Sequence, residues 1–169
     1  PKPAAIGNLP SLSLDSHAHP AYMLNYNLEL TWLNEAARAD IFAFAKPPAH
    51  SSERNLFHLL SRPEANVSLA DQRSMAAMHL QIASQRIGRE ALLHLVSEND
   101  PAILEMVDEI DFPKENEQNL AHKVFDESDL YKTNSDGRQV GYRVFSLYFR
   151  EGILVVHTPM ADKGDELIN

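Results

Sequence analysis

The sequence predicts an α+β domain in which one antiparallel sheet carries helices packed on one of its faces. Alternating apolar and polar residues, typical of strands, occur near both ends of the 169-residue chain, at 21–34 and 138–157. Helical periodicity fills the region between them, at 68–110. Strands and helices do not alternate, so a doubly wound α/β fold is disfavoured and an enlarged helical middle section is expected.

The composition narrows the class of protein. Hydrophobic residues make up 44% of the chain and charged residues 23%, which is the balance of a folded globular domain. The net charge of −9 disfavours direct binding to nucleic acid, which depends on clustered Lys and Arg. No apolar run reaches the roughly 18 residues of a membrane-spanning helix, and the chain has no Cys. We therefore expect a cytoplasmic protein without direct membrane or nucleic-acid contacts.

The first hairpin is predicted at 21–34, with its turn at 25–27, where Asn residues tolerate left-handed backbone angles. In its second strand Leu28, Leu30 and Trp32 are expected to share one face. Asn34 then occupies the N-cap position of a helix over 35–42.

The middle of the chain reads as several helices. A short helix is expected at 52–60. Ser68 and Asp71 form the start signal of the next helix. Gly88 indicates a break in the helical region, and Asp100 before Pro101 predicts the N-cap of the last helix. Residues 111–130 are polar and predict no element.

The end of the chain predicts a second hairpin. Asp136 and Gly137 indicate a turn, and strands follow at 138–149 and 153–157 around a connection at 150–152. Alternation along the first of these strands places Tyr142 and Phe145 on opposite faces.

Two histidines near the start, His17 and His19, stand in the string Leu-Asp-Ser-His-Ala-His-Pro. In an extended segment both imidazoles point the same way and are able to bind one divalent metal. The string resembles the His-x-His of amidohydrolase-type metallohydrolases, and His157 is the one later residue that imitates a ligand of those enzymes. A metal-dependent hydrolase is therefore an alternative function. A surface segment with two chance histidines is the preferred interpretation, because the chain is too short for the barrel of those enzymes.

The chain contains no Gly-rich phosphate loop and no Gly-x-Ser-x-Gly elbow, so no catalytic set is recognisable. A helix bearing flexible Met residues over an aromatic-bearing sheet is instead suited to hold an apolar ligand. Ordinary core packing is the alternative explanation for the same residues. Those expected to line such a pocket are Tyr22, Leu24, Trp32, Phe57, Met75, Met78, Ile82, Tyr142 and Phe145.

The segment 20–38 resembles the opening of a PAS domain, in which a first hairpin ends in Asn and an Ala-rich helix follows. More narrowly, it is similar to the PAS-like ligand-binding domain of MmyB-type transcription regulators. Segments 54–60, 136–141 and 154–159 carry the same resemblance.

This resemblance implies a sensor domain of a signalling or transcription-regulating protein that is not itself an enzyme. It implies a small apolar ligand such as a fatty acid, an output domain or partner protein, and admits a homodimer. Residues 1–20 would be an irregular lead-in, 21–160 the PAS-like domain, and 161–169 a polar tail or the start of a connector. The alternative is a ligand-free dimerisation or interaction module beside a cyclase or kinase output. Binding of haem or flavin stays open.

Overall fold

One five-stranded antiparallel sheet organises the molecule. The computed structural model describes residues 19–43, 48–65, 67–114, 123–134 and 136–160, so most of the predicted lead-in and the whole predicted tail lie outside the described residues. The strand order is β2-β1-β5-β4-β3, which places the first and last strands side by side near the centre. The α+β class is confirmed. The strands are β1 (Ala21–Leu24), β2 (Leu30–Leu33), β3 (Phe125–Thr133), β4 (Gln139–Tyr148) and β5 (Ile153–Pro159).

The helices occupy the region between β2 and β3. Short 3-10 turns at Ser51–Glu53 and Pro63–Ala65 connect them. In the part of the chain that the structure describes, no helix is both long and apolar enough to cross a membrane. The helices are α1 (Glu35–Ala37, continued by a π-helical turn at Arg38–Phe42), α2 (Leu56–Leu60), α3 (Leu69–Ala83), α4 (Arg89–Leu95) and α5 (Pro101–Asp108).

The predicted helix caps are confirmed. The Asn34 Oδ1 atom accepts hydrogen bonds from the backbone N–H of Ala37 at 2.9 Å and of Ala21 at 3.0 Å. Ser68 and Asp100 accept from the first turns of α3 and α5 in the same way. Because a cap satisfies backbone N–H groups that the helix leaves unpaired, these helix starts follow from local sequence. Asn34 also ties β1 to α1.

Two helix and strand boundaries differ from the sequence-based expectation. The helix predicted at 52–60 begins only at Leu56, because the side chain of Asn55 accepts from His58 N at 3.1 Å and caps it there. Strand β3 lies partly in a region for which no element was predicted. It is an edge strand on which Leu130 is the one fully buried residue, so its sequence is polar and lacks a strong apolar alternation.

The expected common face of Leu28, Leu30 and Trp32 is wrong. Leu28 lies in the turn with a φ of 57°. The pairing register then shifts, so that Leu30 lies opposite Leu24 and Trp32 opposite Met23, with Thr31 left over. This bulge reverses the alternation, and Leu30 faces the helices while Trp32 faces the other side of the sheet.

Helix α3 is the middle layer of three. On one side Met75, Met78 and Ile82 join the core cluster of the sheet. On the other side its small and apolar residues, Ala76 and Leu80 among them, join a second cluster formed with α4 and α5. A helix that is apolar on both sides must be covered on both sides, so the order of layers is sheet, α3, then α4 with α5.

A substitution at Gly152, in the connection between β4 and β5, tests how closely this connection packs against β1. A Cβ atom at this position would lie 2.1 Å from the carbonyl oxygen of Leu24, a backbone atom at the end of β1. We expect Gly152→Ala to lower the free energy of unfolding by about 3 kcal/mol, because strand positions must shift to relieve the overlap. Urea denaturation measures this change. Gly88→Ala is the matched control, since a Cβ there meets nothing within 4 Å, and an equal loss in both variants would contradict the prediction.

Candidate functional site

Three buried polar side chains connect α3 to the sheet. Tyr22 lies on β1, His79 on α3 and His157 on β5, and all three are buried. The Tyr22 hydroxyl oxygen lies 2.5 Å from His79 Nε2 and 2.8 Å from His157 Nε2. His79 Nδ1 lies 2.6 Å from the carbonyl oxygen of Met75, one helical turn earlier. We call these three side chains the polar chain.

The periodicity of helix and strand explains why each side chain of the polar chain lies between α3 and the sheet. His79 stands four residues after Met75 and three before Ile82, so it shares their face of α3 and points at the sheet. On β5 the buried residues alternate, and His157 follows Ile153 and Val155 on the inner face. Tyr22 is opposite Val155 in the β1–β5 register and therefore has the same orientation.

The direction of every hydrogen bond in the polar chain follows from chemistry. The Met75 carbonyl can only accept, so His79 Nδ1 carries the hydrogen, and in a neutral imidazole Nε2 is then an acceptor. Tyr22 must therefore donate its hydroxyl hydrogen to His79 Nε2. The Tyr22 oxygen in turn accepts from His157 Nε2–H, which leaves His157 Nδ1 as a bare acceptor.

The pKa values agree with this neutral arrangement. Burial lowers the pKa of His79 to about 4 and lowers the pKa of His157 well below its usual value. The positive charge of Lys132 contributes to the lowering of both pKa values. Burial also raises the pKa of the Tyr22 hydroxyl. All three groups are therefore uncharged at neutral pH.

Two buried polar atoms beside the polar chain have no hydrogen-bond partner among the described residues. They are His157 Nδ1 and the hydroxyl oxygen of Ser146 on β4. The register pairs Val144 with His157 and Ser146 with Val155, so the two polar residues are diagonal neighbours on the inner face of the sheet. Each unpaired group costs about 1–3 kcal/mol of stability.

A groove opens on the far side of α3, between this helix, α2 and α5. Its cavity volume is about 70 Å³, and it is partly open to solvent. Its exposed rim includes Arg73 and Asp100. The groove therefore combines apolar walls with the cationic side chain of Arg73 at its rim. The walls are mainly apolar and include Phe57, Leu60, Ala76, Ile103 and Met106.

The nine residues predicted to line a pocket fall into three groups. Tyr22, Leu24, Met75, Met78 and Ile82 are buried together beside the polar chain, with Tyr142 packed against them. Phe57 lies in the second cluster and lines the groove. Ligand binding by any of them stays a prediction.

Trp32 and Phe145 are not brought together with the other seven residues. Both lie on the face of the sheet opposite the helices. Trp32 is there because of the bulge in the first hairpin. Phe145 is there because Val144 and Ser146, its neighbours on β4, are the residues that point into the core.

Sequence analysis missed the polar chain itself. The sequence patterns did not single out His79, although its spacing from Met75 and Ile82 on the same helix was the available signal. Its link to Tyr22 bridges 57 positions of sequence, and that of Tyr22 to His157 bridges 135. No local pattern contains such pairings.

The predicted metal ligands are not assembled in the part of the chain that the structure describes. His17 lies outside the described residues. His19 lies just before β1, where its carbonyl accepts a hydrogen bond from Asn34 Nδ2 at 2.9 Å. His157 is buried against Tyr22. Among the described residues no group of three or more His, Asp or Glu side chains is placed to hold a metal ion.

Comparisons with known proteins give a likeness among solved structures. No family model matches the chain. No curated protein matches it either. Among solved structures the chain is similar to the PAS domain of an HTR-like protein from Haloarcula marismortui, with 11% identity and a TM-score of 0.36. The match covers 93% of this chain and 98% of that chain. A TM-score this low does not establish a common fold, so the architecture rests on the sheet and helices described above.

Removal of the Tyr22 hydroxyl tests the polar chain. We expect Tyr22→Phe to lower the free energy of unfolding by about 2–4 kcal/mol, because it leaves His79 Nε2 and His157 Nε2–H unpaired in the core. Ser146→Ala is the contrasting variant. It removes a hydroxyl that has no partner among the described residues, so stability should stay within about 1 kcal/mol of the parent or rise. Urea denaturation compares the two, and a larger loss in Ser146→Ala would contradict the assignment.

The stability of the fold should also depend on pH through His79. Its pKa of about 4 in the folded state lies below the ordinary value of 6.5, so between these values the unfolded chain binds more protons. The contribution of His79 to the free energy of unfolding is complete above pH 6.5 and is lost as the pH falls toward 4. For His79 this amounts to about 2 kcal/mol between pH 7 and pH 5.

Denaturant titrations at pH 5 and pH 7 measure that loss. His79→Gln should reduce the difference in unfolding free energy between the two pH values by about 2 kcal/mol. His94→Gln is the control, because His94 is exposed on α4 and its replacement should leave the difference unchanged. An equal effect of both substitutions would refute the role of His79.

Proposed function

We propose that this chain is a cytoplasmic, non-enzymatic, PAS-like sensory domain of a signalling or transcription-regulating protein, and that it binds a small apolar ligand. The observation that carries the proposal is the groove between α2, α3 and α5. One of its walls is α3, the same helix that the polar chain joins to the sheet. The resemblance of segment 20–38 to the opening of a PAS domain supports it.

The lining of the groove favours a fatty acid. Phe57, Ile103 and Met106 supply apolar walls for a hydrocarbon chain. Arg73 stands at the rim and offers a guanidinium to a carboxylate. Asp100 lies at the same rim, and its carboxylate repels an anionic ligand. Binding of a carboxylate therefore depends on the positive charge of Arg73.

Helix α3 offers a route from ligand to sheet. A ligand in the groove contacts Ala76 on one side of α3, while His79 on the other side is bonded to Tyr22. A shift of the helix therefore strains or relaxes the bonds that reach β1 and β5. The ligand biases this equilibrium only by its different affinities for the two positions of the helix.

Binding of dodecanoate to the purified protein tests the proposal. Ala102 lines the groove from α5, so Ala102→Trp narrows it, whereas Glu105→Trp places the same side chain on an exposed position of the same helix. We expect calorimetry to show at least tenfold weaker binding for Ala102→Trp, about 1.4 kcal/mol, and unchanged binding for Glu105→Trp. Arg73→Gln should weaken dodecanoate more than dodecanol. Absence of binding, or equal effects of both Trp variants, would reject the groove as the ligand site.

A ligand-free dimerisation or interaction module is the second candidate. The observation that favours it is the apolar character of the sheet face opposite the helices, where Phe125 and Phe149 are exposed. Native mass spectrometry separates the two candidates. A co-purifying mass that disappears on denaturation supports the sensor, and a ligand-free protein that also fails to bind dodecanoate supports the interaction module.

A further inference from the structure

Lys132 on β3 is a partly buried cation on the inner face of the sheet. It stands two residues after the fully buried Leu130, so both side chains point toward the helices. The register pairs Leu130 with Tyr142 on β4 and Lys132 with Val140, which makes Lys132 and Tyr142 diagonal neighbours. The Lys132 Nζ atom lies 4.6 Å from the centroid of the Tyr142 ring. The amine is therefore held against an aromatic face rather than extended into water.

This amine lacks a close carboxylate partner. Among the described residues Lys132 forms no ion pair. The Asp71 Oδ2 atom on α3 instead accepts the backbone N–H of Thr133 at 3.0 Å. Asp71 and Asp40, the latter on the π-helical turn, attract the ammonium only at longer range. Burial outweighs this attraction and lowers the pKa of Lys132 from 10.5 to about 8.

A lysine in this setting is a nucleophile at neutral pH. With a pKa of about 8, roughly a tenth of the amine is uncharged at pH 7, which is roughly 300-fold more than for an ordinary lysine. The uncharged amine has a free electron pair that attacks a carbonyl carbon. Desolvated lysines are the ones that form Schiff bases in proteins.

We propose that Lys132 is a covalent attachment site for small apolar aldehydes. The Nζ electron pair attacks the aldehyde carbon, and the resulting carbinolamine loses water to leave an imine. The amine gives up two hydrogens and the aldehyde its oxygen, so the step needs no oxidant or reductant and is reversed by water. The ring of Tyr142 supplies an apolar wall for the carbon chain. Lys132 is partly exposed on an edge strand, so a small molecule reaches it from solvent.

The attachment site lies beside the polar chain. The Tyr142 ring meets the ring of His157 edge-on, with 6.4 Å between centroids, and His157 is bonded to Tyr22. The positive charge of Lys132 acts on His79 and His157. Because an imine is a weaker base than the amine, attachment changes the charge that both histidines face. The site is on the sheet side of α3 and is independent of the proposed ligand groove on the other side of that helix.

Reductive trapping with butanal tests the site. The purified protein is incubated with butanal and cyanoborohydride at pH 7, and peptide mapping by mass spectrometry gives the alkylation rate of each lysine. Lys114 and Lys123 are internal controls, because both are exposed. We expect Lys132 to react at least tenfold faster than either control. This advantage should shrink above pH 10, because ordinary lysines are uncharged above about pH 10.4. Equal rates at the three lysines, or no adduct on Lys132, would overturn the proposal.

Two substitutions separate nucleophilic attack from mere exposure. Lys132→Arg keeps a cation over Tyr142 but forms no imine, so the fast adduct should disappear while the other lysines react unchanged. Asp71→Asn keeps an oxygen for Thr133 N–H but removes a negative charge that stabilises the ammonium, so Lys132 should react severalfold faster at pH 7. Glu105→Gln is the control for charge removal, because Glu105 is exposed on α5.

Circular dichroism melting verifies that these variants are folded. An undiminished fast adduct in Lys132→Arg, or a slower reaction of Lys132 in Asp71→Asn than in Glu105→Gln, would refute the assignment. Failure of dodecanoate to bind would leave it standing, because the two sites lie on opposite sides of α3.

Discussion

The hydroxyl of Tyr22 is the point on which the rest of the architecture depends. It donates to His79 on α3 and accepts from His157 on β5, so one oxygen holds the middle layer of the molecule against the centre of the sheet. Apolar packing alone tolerates small slides of a helix, whereas hydrogen bonds require defined distances and angles. The polar chain therefore fixes the position of α3. Because α3 forms one wall of the groove, the shape of the groove depends on this contact.

The sheet separates two surfaces with different chemistry. On the helical side, α3 lies between the polar chain and a groove with apolar walls and a cationic rim. On the other side, the sheet presents an apolar side chain from every strand. Strands β1 and β5 contribute Tyr22 and His157 to the first face and Met23 and Leu154 to the second.

Sequence patterns predicted those features that depend on near neighbours. Asn34, Ser68 and Asp100 were identified as helix caps because their partners lie two or three residues away. Strand β3 was missed because an edge strand needs only one buried face, and Leu130 is its one fully buried residue. Trp32 was assigned to the wrong face because a bulge involves the partner strand, and strict alternation within one strand does not reveal it.

The sequence by itself determined the α+β class, the starts of α1, α3 and α5, and the acidic, cysteine-free character of the chain. It also determined which face of α3 carries Met75, Met78 and Ile82. Only the tertiary structure decided that His79 meets Tyr22 across 57 positions and that Tyr22 meets His157 across 135. The same is true of the apolar side chains on the sheet face opposite the helices, which come from five separate strands. The physical reason is that caps and periodicity are set by backbone geometry within a few residues, whereas strand register and helix docking follow from the packing of the whole core.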